Sequence, residues 1–248
     1  MTALIAEFIG TAILILLGNG VVANVVLNKT KGNDSGLIVI AFGWAIAVFV
    51  GVFITASISG AHLNPAVTLG LTITGDFGRS ITGDMLWSEV GGYMIAQLLG
   101  AMLGTTLVWA MYKPHYDDTD SAVDIQSTFC NAPAIPNLVT NFLSEMLGTF
   151  ILVYGVLHIA KASVGDQEAS LGALDALPVA LIVLGVGLSL GGTTGYAINP
   201  ARDFGPRIMH ALLPIRAKGG NGWGYSWIPV MGPFTGAALA GVLMKMLG

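Results

Sequence analysis

The residues best able to do chemistry in this chain are polar groups set among apolar ones. Asn64-Pro65-Ala66 and Asn199-Pro200-Ala201 are two copies of one tripeptide. Arg202 and Asp203 directly follow the second copy, and His62 stands just before the first. Glu7 and Glu145 lie inside long apolar runs. Asparagine is a preferred helix N-cap, and proline suits the first helical position because its missing N–H would be unbonded there. Each tripeptide therefore marks a helix start. Each has a Gly-rich lead-in, Ser59-Gly60-Ala61-His62-Leu63 and Gly191-Gly192-Thr193-Thr194-Gly195-Tyr196-Ala197-Ile198. The chemistry on offer is hydrogen bonding to an uncharged solute rather than bond making. No nucleophile–base pair stands out, so an enzyme is not expected. No second His or carboxylate stands at ligand spacing near His62, so neither a metal nor a cofactor is expected.

The elements that position these groups must be membrane helices. The 248 residues are 54% apolar and 10% charged, against about 25% charged in a typical soluble domain. Net charge is -4 with no basic tract, which argues against nucleic acid. Cys130 is the only cysteine, so no intrachain disulfide framework exists. The N-terminal run has no basic residue ahead of it and reads as a retained first span rather than a cleaved signal. Six stretches, about 3–27, 36–57, 84–111, 138–162, 174–191 and 224–247, meet the length of about 20 apolar residues that a span needs. Two shorter pieces, about 65–74 and 200–213, cover roughly half to two-thirds of a ~30 Å hydrocarbon core and read as half-helices. Polar connectors separate the spans, the longest being Tyr112–Asn137.

The two halves repeat. Ala6-Glu7-Phe8-Ile9-Gly10-Thr11 matches Ser144-Glu145-Met146-Leu147-Gly148-Thr149, and the tripeptides recur at nearly the same offset. Gly100-Ala101-Met102-Leu103-Gly104 resembles Gly236-Ala237-Ala238-Leu239-Ala240. Three markers at nearly one offset argue for duplication. Each half, about 1–115 and 138–248, holds three spans, an odd number, so the halves enter the membrane from opposite sides. The expected fold is an all-α membrane protein, a single domain of six transmembrane helices plus two re-entrant half-helices in an inverted repeat.

That topology aims both half-helix N-termini at mid-membrane. Each carries about half a positive charge, which opposes cations and protons. The Asn64 and Asn199 amides either only cap their helices or also offer N–H donors to a solute. Non-helical backbone at that depth must face protein or a water-filled cavity, so Gly60, Ala61, His62, Gly195, Tyr196 and Ala197 are expected to present a ladder of carbonyl acceptors. Glu7 and Glu145, at matching positions, are expected to accept backbone N–H bonds from the lead-ins rather than couple protons. His62 is expected to be a buried support, with a lumen-lining role the alternative. Arg202 is expected to line the lumen rather than pair with Asp203, since its own helix dipole disfavours it there.

The residues 59–68 and 195–206 resemble those of the aquaporin superfamily, and within it the aquaglyceroporin branch and its bacterial glycerol facilitators. The resemblance runs from Glu7 to the Gly232-Pro233 region. Asp203 after Arg202, Arg207 and Pro229-Val230 are similar to the glycerol-conducting branch. The resemblance implies an aquaporin-like fold and a selectivity filter at Trp44, Gly187, Tyr196 and Arg202, with Pro65, Ala66, Pro200 and Ala201 beside the pore. Read without it, Trp44 and Tyr196 could be ordinary packing aromatics. Position 196 departs from the usual Phe, and the added hydroxyl must find a partner.

The implied function is passive conduction of glycerol and similar small neutral solutes, with water, while ions and protons are excluded. Dihydroxyacetone, urea and lactic acid are further candidate solutes. A water-selective or weak-acid channel of the same fold is the alternative, and a secondary active transporter is the reading from another class. The resemblance also implies a homotetramer in the lipid bilayer of the plasma membrane, with both termini cytoplasmic. That places Arg79, Lys161 and Lys245 inside and Lys29, Lys31, Lys113, Arg216 and Lys218 outside, against the positive-inside rule.

Overall fold

Side-chain caps set where the helices begin. Thr2 accepts from the Ile5 amide and opens α1, Ala3–Val26. Asn137 accepts from the Thr140 amide at 3.1 Å and opens α7, Leu138–Leu157. Asn64 and Asn199, extended in backbone, cap α3 (Pro65–Thr74) and α9 (Pro200–Leu212). Between these lie α2 (Leu37–Ser59), α4 (Trp87–Met111), α5 (Lys113–Asp118), α6 (Ala122–Ser127) and α8 (Leu177–Leu190), the last led in by a 3-10 turn at Gly172–Ala176. The chain closes with α10, Ile228–Leu247. The computed structural model describes residues 1–75, 87–159, 163–164 and 167–247. Arg79, Lys161 and Asp166, and the expected span ends at 84–86 and 160–162, lie outside these residues.

Among the described residues, six helices are long and apolar enough to cross a membrane. They correspond to the six expected spans, with differences at the ends: α7 stops at Leu157 and α8 begins at Leu177 after the 3-10 turn. Residues 224–227 form turns rather than the start of α10. The connector 112–137, expected as a loop, folds two short helices, α5 and α6. Ser121 caps α6 by accepting from the Asp124 amide at 3.2 Å.

Polarity is inverted relative to a water-soluble protein. Ile38, Phe42, Ile46 and Val139 are exposed, whereas Glu7, Glu145, Asp203 and Arg207 are fully buried. Apolar side chains face outward because their solvent is lipid, and the ionisable ones are enclosed where protein satisfies them.

The packing repeats between halves and interlocks them. Helix α1 packs on α2 and α4, as α7 packs on α8 and α10. The half-helix α3 lies against α10 of the other half, and α9 against α4. Small residues let the paired backbones touch. A Cβ on Gly100 would lie 2.3 Å from the Phe8 carbonyl oxygen, and one on Gly236 would lie 2.1 Å from that of Met146. These glycine positions therefore serve packing within the subunit.

Candidate functional site: a lumen between two helix tips

The two lead-ins have the same unusual backbone. Gly60, Ala61 and Leu63 have φ of 80°, 51° and 51°, and their counterparts Gly195, Tyr196 and Ile198 have 80°, 40° and 43°. Non-glycine residues with positive φ are uncommon and cost of order 1–3 kcal/mol each, so the surroundings must hold them. The two glutamates do. Glu7 accepts from the His62 amide at 3.0 Å, the Leu63 amide at 2.7 Å and the Ser59 hydroxyl at 2.6 Å. Glu145 accepts from the Ala197 amide at 3.0 Å, the Ile198 amide at 2.9 Å and the Thr194 hydroxyl at 2.7 Å. Glu7 also accepts from Gln97 Nε2 at 2.7 Å, so both carboxylates are bonded to their lead-ins and Glu7 to α4 as well.

The two tips are tied to each other. Asn64 Oδ1 accepts from the Ala66 amide at 2.9 Å, while its Nδ2 donates to the Ile198 carbonyl at 2.8 Å. Asn199 Oδ1 accepts from the Ala201 and Arg202 amides, while its Nδ2 donates to the Leu63 carbonyl at 2.9 Å. The asparagines therefore do more than cap, but their NH2 groups are not wholly free. One N–H of each is spent on the opposite lead-in. An amide NH2 carries two N–H donors, which leaves one apiece.

A cavity of about 260 Å³ runs past these tips. Its wall includes Asn64, Asn199, Gly60, Ala61, His62 and Ala197, together with Trp44, Tyr196 and Arg202. Apolar side chains, among them Leu14, Val48, Val52, Val67, Leu152 and Val183, also line it. Asp175, on the 3-10 turn, also reaches it. The Arg202 guanidinium lies 4.3 Å from the Trp44 ring centre, over its face, a cation–π arrangement. Among the described residues Arg202 forms no salt bridge, because Asp203 is taken by Arg207 at 2.8 Å. His62 Nδ1 is 3.1 Å from the Thr68 hydroxyl, which also accepts from Gln97 Nε2 at 3.0 Å. It is both a supported side chain and part of the wall.

A family description, Major intrinsic protein, matches residues 1–244. The chain belongs to the major intrinsic protein family. It is 52% identical over 246 residues to the glycerol uptake facilitator protein of Streptococcus pneumoniae, covering 99% of both chains. It is 48% identical over 247 residues to the probable glycerol uptake facilitator protein of Thermotoga maritima, covering 100% of both. Among solved structures it is similar to the aquaglyceroporin from Plasmodium falciparum, with a TM-score of 0.77 and 28% identity, covering 96% of this chain and 92% of that one.

Not every residue expected at the pore reaches the cavity of this major intrinsic protein. Pro65, Ala66, Pro200 and Ala201 are buried in the first turns of their half-helices, off the wall. Gly195 is also off it and abuts Asn131, whose Nδ2 would be 3.1 Å from a Cβ there. Gly187 lies beneath Tyr196, since a Cβ on it would be 2.9 Å from the Tyr196 Cζ. The space at that glycine holds the tyrosine ring rather than opening directly into the lumen.

Sequence reading missed the residues that stand behind the aromatic pair. A Cβ on Gly18 would lie 2.2 Å from Trp44 Cζ3, and one on Gly191 would lie 2.4 Å from Tyr196 Cδ1. It also missed a clamp. Asp203 Oδ2 accepts from the Asn131 amide at 2.7 Å, and Arg207 Nη2 donates to the Asn131 carbonyl at 2.9 Å. The long connector is thereby fastened to α9 through Asp203, the neighbour of Arg202, and Arg207 one turn further on. No periodic signal announces a bond that spans 72 residues.

Proposed function

We propose that this chain is a passive channel for glycerol and similar small neutral solutes, with water also passing and ions and protons excluded. The observation that carries the reading is the pair of half-helix N-termini, linked through Asn64 and Asn199, beside a continuous cavity. Two positive dipole ends at one place repel cations. The two asparagines offer donors at the centre, and Gly60, Ala61, His62 and Ala197 supply the lead-in backbone for acceptors, with Gly195 behind them. Trp44, Tyr196 and Arg202 act as the filter: the aromatic faces meet carbon and Arg202 meets oxygen. Gly187 gives the tyrosine its seat. Pro65, Ala66, Pro200 and Ala201 hold the tips, and Glu7 and Glu145 hold the lead-ins. The names of the Streptococcus and Thermotoga relatives and of the Plasmodium structure support glycerol as a solute. Dihydroxyacetone and urea, of similar size and polarity, are further solutes of this reading.

The chain is read as one membrane domain with duplicated halves, about 1–115 and 138–248, assembling as a homotetramer in the plasma membrane with both termini cytoplasmic. Protease accessibility of the 112–137 connector in intact cells tests the orientation.

The function is tested by stopped-flow uptake into proteoliposomes with water, glycerol, dihydroxyacetone and urea. Glycerol entry should equilibrate without concentrating and without dissipating a proton gradient. Uptake against a gradient, or none above protein-free vesicles, overturns the reading. Arg202→Ala should pass larger solutes and leak ions, and unchanged selectivity would remove Arg202 from the filter.

A further inference from the structure

Asp175 carries a charge that the channel reading leaves unused. Asp175, Val179 and Val183 line the cavity at four-residue spacing, and Gly187, the next in that series, seats Tyr196. One face of α8 and its lead-in turn therefore runs along the lumen, and at about 1.5 Å per residue Asp175 lies roughly 18 Å from the level of Tyr196. Asp175 is exposed as well as cavity-lining, so it marks the mouth away from the filter. Its carboxylate is held in place: Oδ2 accepts from the Ser170 hydroxyl at 3.0 Å and Oδ1 from the Leu171 amide at 3.3 Å. A carboxylate has about four acceptor sites, so capacity remains. Among the described residues it forms no salt bridge, and it is the one carboxylate on the cavity wall. Between it and Tyr196 the α8 face offers only valines, and α2, which packs on both α8 and the 3-10 turn, adds Val48, Val52 and Ala56.

We infer that this mouth binds short-chain primary alkylammonium ions, the ammonium on the Asp175 carboxylate and the alkyl tail against Val179, Val183 and Val52, and that the bound ion blocks glycerol. An ammonium has three donors and no acceptor, which matches an acceptor-only carboxylate. The tail gains by leaving water for an apolar wall. The head goes no further, because the lumen ahead leads to two half-helix N-termini whose positive ends oppose a cation. The ion is therefore held rather than passed, whereas a neutral polyol is not caught by charge and moves on. An alkyl carboxylate of the same length is repelled at the mouth. If Asp175 only fastened its turn, asparagine would serve as well, since its side-chain oxygen also accepts; the charge separates the two roles. The inference rests on the channel reading and adds an inhibitor class to it.

The test measures glycerol flux in proteoliposomes at low salt with methyl-, ethyl-, propyl- and butylammonium on both faces, at about pH 7, where an aliphatic amine is protonated. Controls are 1-butanol and butanoate. Butylammonium should inhibit wild type, and each added methylene should tighten inhibition about threefold to fourfold. The alcohol and the carboxylate should inhibit several-fold less. Asp175→Asn, read as a fraction of its own uninhibited flux, should need about threefold to fivefold more butylammonium, as for loss of an exposed ion pair. Asp175→Lys should transfer the inhibition to butanoate. In wild type, high salt should weaken butylammonium by screening and leave 1-butanol unaffected, a measurement that needs no variant. Inhibition equal in wild type and Asp175→Asn, inhibition indifferent to chain length or salt, or none in a wild type that conducts glycerol overturns the site. A wild type that fails to conduct glycerol instead overturns the channel reading itself.

Discussion

Asn64 and Asn199 hold each other's approach strands in place. Each caps its own half-helix with its oxygen and donates its Nδ2 to the carbonyl just before the other asparagine, at 2.8 and 2.9 Å. The link makes the two halves of the chain structurally dependent at the point where their dipoles converge. It also satisfies the Leu63 and Ile198 carbonyls, which leave the helical pattern at a depth where water is scarce.

Replacing Asn64 by alanine removes the cap and the cross-link together. The cap is worth about 1 kcal/mol and a buried hydrogen bond about 1 kcal/mol. A loss of about 2 kcal/mol is expected in SDS-titration unfolding of purified protein. Asn199→Ala should behave similarly. Because the two side chains form one linked unit, the double variant should lose less than the sum of the two singles. Strict additivity would mean that the asparagines act separately.

Gly18 decides where Trp44 sits. A Cβ on it would come within 2.2 Å of the indole, so Gly18→Ala must push the ring toward the lumen or off Arg202. Overpacking of this kind costs ~1–3 kcal/mol, enough to slow glycerol about tenfold while the smaller water molecule is affected less. Gly20→Ala in the same helix meets nothing closer than 4.0 Å and serves as the control. Equal glycerol rates in the two variants would remove Gly18 from the filter's support.

The features legible in the sequence are those written twice. The two tripeptides, the two glutamates and the small-residue ladders each recur at a nearly fixed offset, and the helix-start chemistry of Asn-Pro needs only neighbouring residues. The unread features are those that the halves do not share. Asp203 and Arg207 stand where the first half has Thr68 and Thr72. The threonines turn inward, Thr72 donating to the Thr68 carbonyl at 2.7 Å, whereas the charged pair reaches out to Asn131. Nothing local in a connector of mixed polarity announces that partner. The seat of Tyr196 on Gly187 and Gly191 was hidden for a different reason: a glycine records that space is needed, not which side chain fills it.

Cys130 lies in that same connector, next to the clamped Asn131, and is fully buried. Burial, reinforced by the nearby Asp203 carboxylate, pushes its thiol up to about 12. The thiolate is the nucleophile, so at pH 8 roughly one part in ten thousand is reactive, and each unit of pH increase raises that share about tenfold. A maleimide should therefore label native protein at pH 8 negligibly and SDS-denatured protein within minutes, read by mass shift. Rapid native labelling would show that the connector does not stay fastened.

The fastening itself is open to a sharper test. Asp203 and Arg207 are both fully buried, and Arg207 also donates to the Asn221 and Gly222 carbonyls at 2.9 and 3.1 Å. A buried ion pair adds little net stability, since desolvation offsets attraction, yet removing one member strands the other at a cost of about 3–5 kcal/mol. Arg207→Met leaves a bare carboxylate and should lower thermal stability in detergent and expose residues 112–137 to protease. Asp203→Asn should weaken the same region, because Asn131 loses a charged acceptor. With no charge left behind, Asp203→Asn combined with Arg207→Met should be more stable than Arg207→Met alone. If the double variant is no better, the penalty comes from the lost tether to Asn131, Asn221 and Gly222 rather than from the stranded charge. The connector would then be held by geometry more than by electrostatics.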